Sequence, residues 1–320
     1  MPKLLSFTSS GQQFAWDATS ISNFMRCPRY YQFVNLQGWQ PVNKSVHLIF
    51  GGVYATALEH FYKYLADGAT PEEAIRTVVH EALLATWHHE LDDNGHAISG
   101  TGTAWDSGHA SKTRDTLIRT IVWYLDQFYL SDPTLDLPLV HLDDGSPAVE
   151  LSFAVPFESK HSKDILYCGH MDKVVEYNAD IMVMDQKTTG AAVTAYFFEQ
   201  FTLDVQMSGY TYAATVGYDI PVKGVIIDAA QIAVGFSRFG RGFVPRSKAN
   251  LEEWQITVDH YIEQARIAHD SGFYPMNTSS CNDYGGCAFR KICQRSPEHR
   301  ANFLAGDFVQ RPRWDPLERR

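Results

Sequence analysis

The hydrophobic positions along the chain change period between its two halves. Residues 17–37, DATSISNFMRCPRYYQFVNLQ, put Ile21, Phe24 and Met25 on one helical face behind the capping candidates Ser20 and Ser22, and Pro28 bends or restarts the helix. A second helix is expected from His47, HLIFGGVYATALEHFYKYLADG, entered through Gly51 and Gly52 and stopped by Gly68. A third, TPEEAIRTVVHEALLATWHHEL, starts with Thr70 as N-cap, Pro71 at the first helical position and Glu73 as capping-box partner. The polar, Gly-rich stretch from Asp92 to Thr113 reads as a flexible connection, and DTLIRTIVWYLDQFYLSD as a fourth helix. After Pro138 the period shortens. AVELSFAVPF alternates, ILYCGHMDKVVEY and DIMVMDQKTT follow as strands around a turn at Tyr177–Asp180, and VKGVIIDAAQIAVGF is a further strand or strand pair. Residues 195–216 return to helical spacing, and LEEWQITVDHYIEQARIAHDSG is a last long helix. Helices first and a sheet with helices afterwards predict an α/β domain with a helical insertion.

Composition adds limits. The 320 residues are 45% hydrophobic and 20% charged, with a net charge of −10, which disfavours a protein that coats phosphates over its whole surface but leaves room for a basic groove. No apolar run approaches the ~18 residues of a spanning helix, and MPKLLSFTSSGQQFAW lacks the apolar core of a secretory signal, so a cytoplasmic, reducing location is expected. There, clustered thiols hold metal more readily than they form disulfides. Three of the five cysteines, Cys281, Cys287 and Cys293, lie at C-x5-C-x5-C spacing, while Cys168 stands alone in a strand as a small core residue. No G-x-S-x-G, H-E-x-x-H or Walker motif is present.

The chemistry concentrates in GHMDKVVEYNADIMVMDQKTTG. With the turn centred on Asn178 and Ala179, Asp172 and Asp185 face each other across the hairpin, roughly 5 Å apart at Cβ. Lys187, two residues beyond Asp185, projects from the same face. Opposed carboxylates destabilise a hairpin unless neutralised, and hard oxygen ligands suit Mg²⁺ or Mn²⁺. The plainer alternative is a surface Asp185–Lys187 ion pair. Against it, the flanking Val174, Val175, Ile181 and Val183 make the hairpin a core element whose polar face needs a purpose.

These residues resemble motifs II and III of the PD-(D/E)XK nucleases, in their RecB-like branch. Three further stretches carry the resemblance. Glu150 opens the preceding strand, Gln206 and Tyr210 in DVQMSGYTYA match a Q-x-x-x-Y signature, and FGGVYATALEHFYKY is similar to the helical motif I, roughly G-x-x-x-H-x-x-L-E. The chain departs from that last motif, since Ala55 or Thr56 stands where the histidine falls; Glu59, or alternatively His60, is the expected substitute. The resemblance implies a restriction-endonuclease-like core, a mixed central β-sheet flanked by helices, with Asp172, Asp185, the Gln186 carbonyl and Glu59 holding metal and Lys187 positioning the attacking water. His170 shares a face with Asp172 and is read as either a site neighbour or a strand-packing residue.

Cys27 lies in SISNFMRCPRYYQF, which resembles the C-P-R-x-Y helix opening many RecB-like proteins. The iron–sulfur subset of that branch places one cysteine before motif I and three after the core. Cys27, Cys281, Cys287 and Cys293 fit that order, implying a 4Fe–4S cluster, with a zinc site of the same ligands as the alternative. The implied layout is a single nuclease domain divided into an N-terminal segment 1–45, a helical region 46–140, the core 141–275 and a C-terminal iron–sulfur segment 276–320. In GFSRFGRGFVPR, arginines alternate with phenylalanines, and Arg238, Arg241 and Phe239 are the expected nucleic-acid contacts. The expected activity is Mg²⁺- or Mn²⁺-dependent DNA exonucleolysis at single-stranded ends, in recombination, repair or CRISPR adaptation. The rival readings are a DNA-end binder without catalysis and a zinc-stapled partner-binding protein.

Overall fold

The computed structural model describes residues 5–42, 45–90, 92, 98 and 100–318. Six strands form a mixed sheet: β1 (Ala15–Trp16), β2 (Val149–Pro156), β3 (Leu166–Tyr177), β4 (Asp180–Thr189), β5 (Val222–Ile232) and β6 (Ser237–Pro245). β2 runs antiparallel along one edge of β3. On the other edge β1 pairs in parallel with Leu166 and Tyr167, whereas β4 pairs antiparallel with Lys173 to Tyr177. Between those two ladders, among the described residues, β3 has no strand neighbour on that side. β5 then continues parallel to β4, and β6 closes the sheet antiparallel to β5.

The β3–β4 hairpin has the predicted two-residue turn. Asn178 and Ala179 carry φ of 50° and 66°, the paired positive values that match a turn to the twist of its strands. An alanine in that region carries steric strain, so the register must be held by the core residues beside it.

Helices cover both faces. α1 (Ala18–Arg26), α2 (Val46–Ala66), α3 (Pro71–Ala85), α4 (Arg114–Leu125), α5 (Val205–Tyr218) and α6 (Lys248–Ser271) begin at side-chain caps, including the Thr70–Glu73 capping box read from the sequence. Along β5, Val225, Ile227 and Ala229 join the core formed with α1, α5 and α6, while Ala230 and Ile232 join the core beneath α2, α3 and α4. This alternation is the two-residue period of a strand buried on both sides.

Three local outcomes differ from the periodicity. α3 ends at Ala85 because Trp87–His88 turns away to pair with Thr103–Ala104, and the Trp87 indole donates to the Thr101 carbonyl at 2.9 Å. Part of the expected flexible connection, residues 93–97 and 99, lies outside the described residues. The helical stretch 195–216 is split at Asp204, whose carboxylate caps α5. The last forty-odd residues, left without elements by the pattern, contain short turns at Thr278–Gly285 and Arg290–Cys293, a helix at Arg300–Asp307 and a strand, Phe308–Gln310, paired with Trp39–Pro41. Phe289, Ile292 and Leu304 pack there against Phe33.

A buried polar network joins the sheet to the α2–α4 layer. Lys173, only 1% exposed, donates to the Tyr62 hydroxyl at 3.0 Å, and that hydroxyl donates to Asp136 at 2.9 Å. Asp228 accepts from the Tyr124 hydroxyl and from Arg241, whose guanidinium lies 4.0 Å over the Phe128 ring. A buried cation is tolerated only with such partners. Lys173→Ala is expected to lower the unfolding free energy in urea by about 3–5 kcal/mol, and Lys173→Met, which restores the volume, by less; equal stability of Lys173→Ala and the parent would show that the network carries no load.

Candidate active site

The ladder pair Lys173–Met184 is the last before the hairpin opens, and the next facing residues are Asp172 and Asp185. The Gln186 N–H donates to Asp172 Oδ2 at 2.7 Å, drawing that side chain toward β4. Strand alternation sends Asp185 and Lys187 to the α5 face, where Lys187 Nζ sits 2.5 Å from Asp185 Oδ2. Lys187 also donates to Gln206 Oε1 at 3.1 Å, and Gln206 Nε2 donates to the Tyr210 hydroxyl at 2.8 Å. Gln206 and Tyr210, one helical turn apart, thus hold the lysine against its carboxylate.

Burial sets the electrostatics. It raises Asp172 to about 7, with the charge of Asp185 acting in the same direction and Lys187 opposing. Burial also raises Asp185, against Lys187. For Lys187 burial alone would favour the neutral amine, but Asp185 and Asp172 outweigh it and hold the ammonium above the ordinary lysine value. Glu150, at a backbone φ of 50°, is pushed to about 6 by burial and by Glu59. His170 lies between Ser152 and Glu150, at 2.9 and 3.7 Å.

The two candidates from motif I part company. Glu59 lines a small cleft with Ala55, Glu150, Asp172 and Gln186, its carboxylate 2.5 Å from Lys63. His60 turns away to Glu81, at 2.7 Å. One buried and one half-buried carboxylate, opposed and sharing one lysine, leave negative charge for a divalent cation to satisfy, and hard oxygen donors of this kind suit Mg²⁺ or Mn²⁺. Among the described residues, no three His, Cys, Asp or Glu side chains are gathered as an ion site.

Cys27, Cys281, Cys287 and Cys293 line one recess with Tyr30, Phe33 and Phe289, and none is in a disulfide. The Asn277 N–H donates to Cys27 Sγ at 3.3 Å, and burial raises the Cys287 and Cys293 thiols. Cys168 is buried apart from them, donating to the Trp16 carbonyl.

The trio expected to touch nucleic acid is divided. Arg238 is exposed, with its guanidinium 4.6 Å over Phe236. Phe239 packs on Tyr124 and Phe128, and Arg241 is committed to Asp228, Phe128 and the Leu135 carbonyl. In β6 those two side chains point into the core beneath the helices, which accounts for them without a ligand. Sequence reasoning missed Lys173 and Tyr62. The signal was available, since a lysine next to Asp172 in an apolar strand must face the opposite side of the sheet.

The mixed sheet splits at two carboxylates and a lysine, backed by a Gln-x-x-x-Tyr helix, and this is the candidate active centre. The chain belongs to the PD-(D/E)XK nuclease superfamily, whose family model matches residues 15–294. No curated protein matches it. Among solved structures it is similar to a presumptive exonuclease from Eubacterium rectale, at 9% identity and a TM-score of 0.48 over 84% of this chain and 86% of that one. It is also similar to SSO0001, at 14% identity and a TM-score of 0.28 over 46% and 59%. Among the described residues no helix is long and apolar enough to cross a membrane.

The carboxylates give a pH signature. A carboxyl group whose pKa rises on folding holds its proton more tightly when folded, so its contribution is most favourable below the unfolded value of about 4 and declines as pH rises to the folded one. With Glu150 at about 6 and Asp172 at about 7, the metal-free protein loses Tm across that interval. Asp172→Asn flattens the decline in scanning calorimetry; an unchanged slope would show that Asp172 is ionised throughout.

Proposed function

We propose that this nuclease hydrolyses DNA phosphodiesters with Mg²⁺ or Mn²⁺, acting at single-stranded ends. The observation that carries the reading is the buried Asp185 facing the half-buried Asp172, with Lys187 held between Asp185 and Gln206. Asp172, Asp185, the Gln186 carbonyl and Glu59 would hold the cation. The cation supplies charge to the phosphoryl group and acidifies water. Lys187 directs a water oxygen at phosphorus and offsets the negative charge that develops as the P–O bond to the leaving strand breaks. Gln206 and Tyr210 do not react; they fix where the lysine ammonium stands.

Cys27, Cys281, Cys287 and Cys293 would ligate a 4Fe–4S cluster, with four zinc-bound thiolates as the alternative. The reading is supported by their shared recess, which spans the two ends of the chain. A second functional reading, end binding without cleavage, is favoured by Ala55 at the motif I position and by Lys63 on the Glu59 carboxylate. Recombination, repair and CRISPR adaptation are the settings consistent with an end-processing nuclease.

Anaerobically purified protein is expected to cut labelled single-stranded DNA with Mn²⁺ or Mg²⁺, and Asp185→Asn and Lys187→Met to lose about 10²- to 10³-fold in rate. Binding without cleavage by the parent protein would establish the second reading. Iron analysis and the visible spectrum, compared with Cys27→Ser, decide the thiol site: zinc without iron would overturn the cluster.

A further inference from the structure

The gap on the free edge of β3 opens into a cleft. Because the β1 ladder stops at Tyr167 and the β4 ladder begins at Lys173, the edge of β3 at residues 168–172 is bounded, among the described residues, not by a strand but by the start of α1, the α5 residues Gln206 and Tyr210, and the chain at Trp314–Pro316. The cleft has a volume of about 200 Å³. An apolar cavity of about 150 Å³ accepts a benzene ring, so a planar heterocycle fits.

Its chemistry is selective. Aromatic surface comes from Trp314 and Tyr210, and hydrogen-bonding groups from His170, Gln206 and Thr19. Asp17, Asp315 and Glu318 also line it, and among the described residues no lysine or arginine does. That lining repels a phosphate and accepts a neutral ring bearing amino donors. Trp314 is fixed in place: its indole N–H donates to Asp17 Oδ2 at 2.9 Å and its backbone N–H to the Asn35 carbonyl at 3.3 Å. Asp315 anchors the same segment through the Leu5 N–H and the Ser6 hydroxyl. Gln206 belongs both to this cleft and to the lysine chain, so the cleft and the scissile centre adjoin.

We propose that this cleft is a nucleobase pocket, holding an unstacked base of the substrate strand next to the phosphate at Asp172 and Asp185, with Trp314 as its stacking wall. The proposal rests on the nuclease reading and names where the strand goes. Bases that leave the stack are held in this way, on aromatic faces with hydrogen bonds to their edges.

The test is an abasic scan. Asp185→Asn protein, which is not expected to cleave, is titrated with labelled single strands that carry one abasic residue at successive positions. One position is expected to weaken Kd by roughly tenfold. Trp314→Ala in the same background is expected to weaken the intact strand by a similar factor and to abolish that positional penalty, while Trp314→Phe retains most of both. A Trp314→Ala protein that merely folds poorly would weaken every strand alike and leave the penalty standing, which overturns the pocket. Binding with no abasic penalty at any position also overturns it, while leaving the nuclease reading intact. No binding of any strand to either protein overturns both.

Discussion

The structure depends on two carboxylates that face each other where a hairpin opens. Asp185 is buried and Asp172 half-buried, and two unit charges about 5 Å apart repel by about 3 kcal/mol even at an effective dielectric of 20. The protein meets that repulsion unevenly. Asp185 is given a lysine at 2.5 Å, and Asp172 receives a backbone N–H and holds its proton toward neutral pH. Such asymmetry keeps the pair stable in isolation while leaving one carboxyl group ready to exchange a proton for a cation.

Adjacent strand residues do opposite work. Asp172 faces α5 and the lysine chain, whereas Lys173 faces α2 and bonds Tyr62. Tyr62 lies on the same helix as Glu59, three residues away, and both border the cleft that holds Asp172. The buried lysine therefore fixes how closely α2 approaches β3. Through that distance it fixes where Glu59 stands relative to the carboxylate pair. A packing interaction on one face of the sheet sets the geometry of a site on the other.

The hairpin, its turn, the Gln206–Tyr210 helix and the Thr70 cap were legible because each is encoded in neighbours along the chain: period, turn residues and helical spacing. Glu59 over His60 was not, since both are helix carboxylate-or-histidine choices one residue apart and only tertiary packing assigns them to opposite sides. Arg241 misled for a related reason. Arginines alternating with phenylalanines read as nucleic-acid contacts, yet the stretch is a strand, and the face it shares with Phe239 is covered by α4, so that Arg241 becomes the partner of Asp228. The C-terminal segment was opaque because its order comes from contacts with residues nearly the whole chain away, which no local pattern records.

Those distant contacts converge on α1. At its first turn Asp17 caps the helix through Ser20 and also accepts from the Trp314 indole. At its last turn the Arg26 carbonyl accepts from Asn277 and Ser280, and Cys27 follows at once. A nine-residue helix is marginal by itself, but this one is gripped at both ends by the C-terminal segment and packed along its length against α5 and α6. Since α5 carries Gln206, rigidity passes from the chain ends through α1 to the lysine at the carboxylate pair. The segments near both ends of the chain are in this sense part of the site's support.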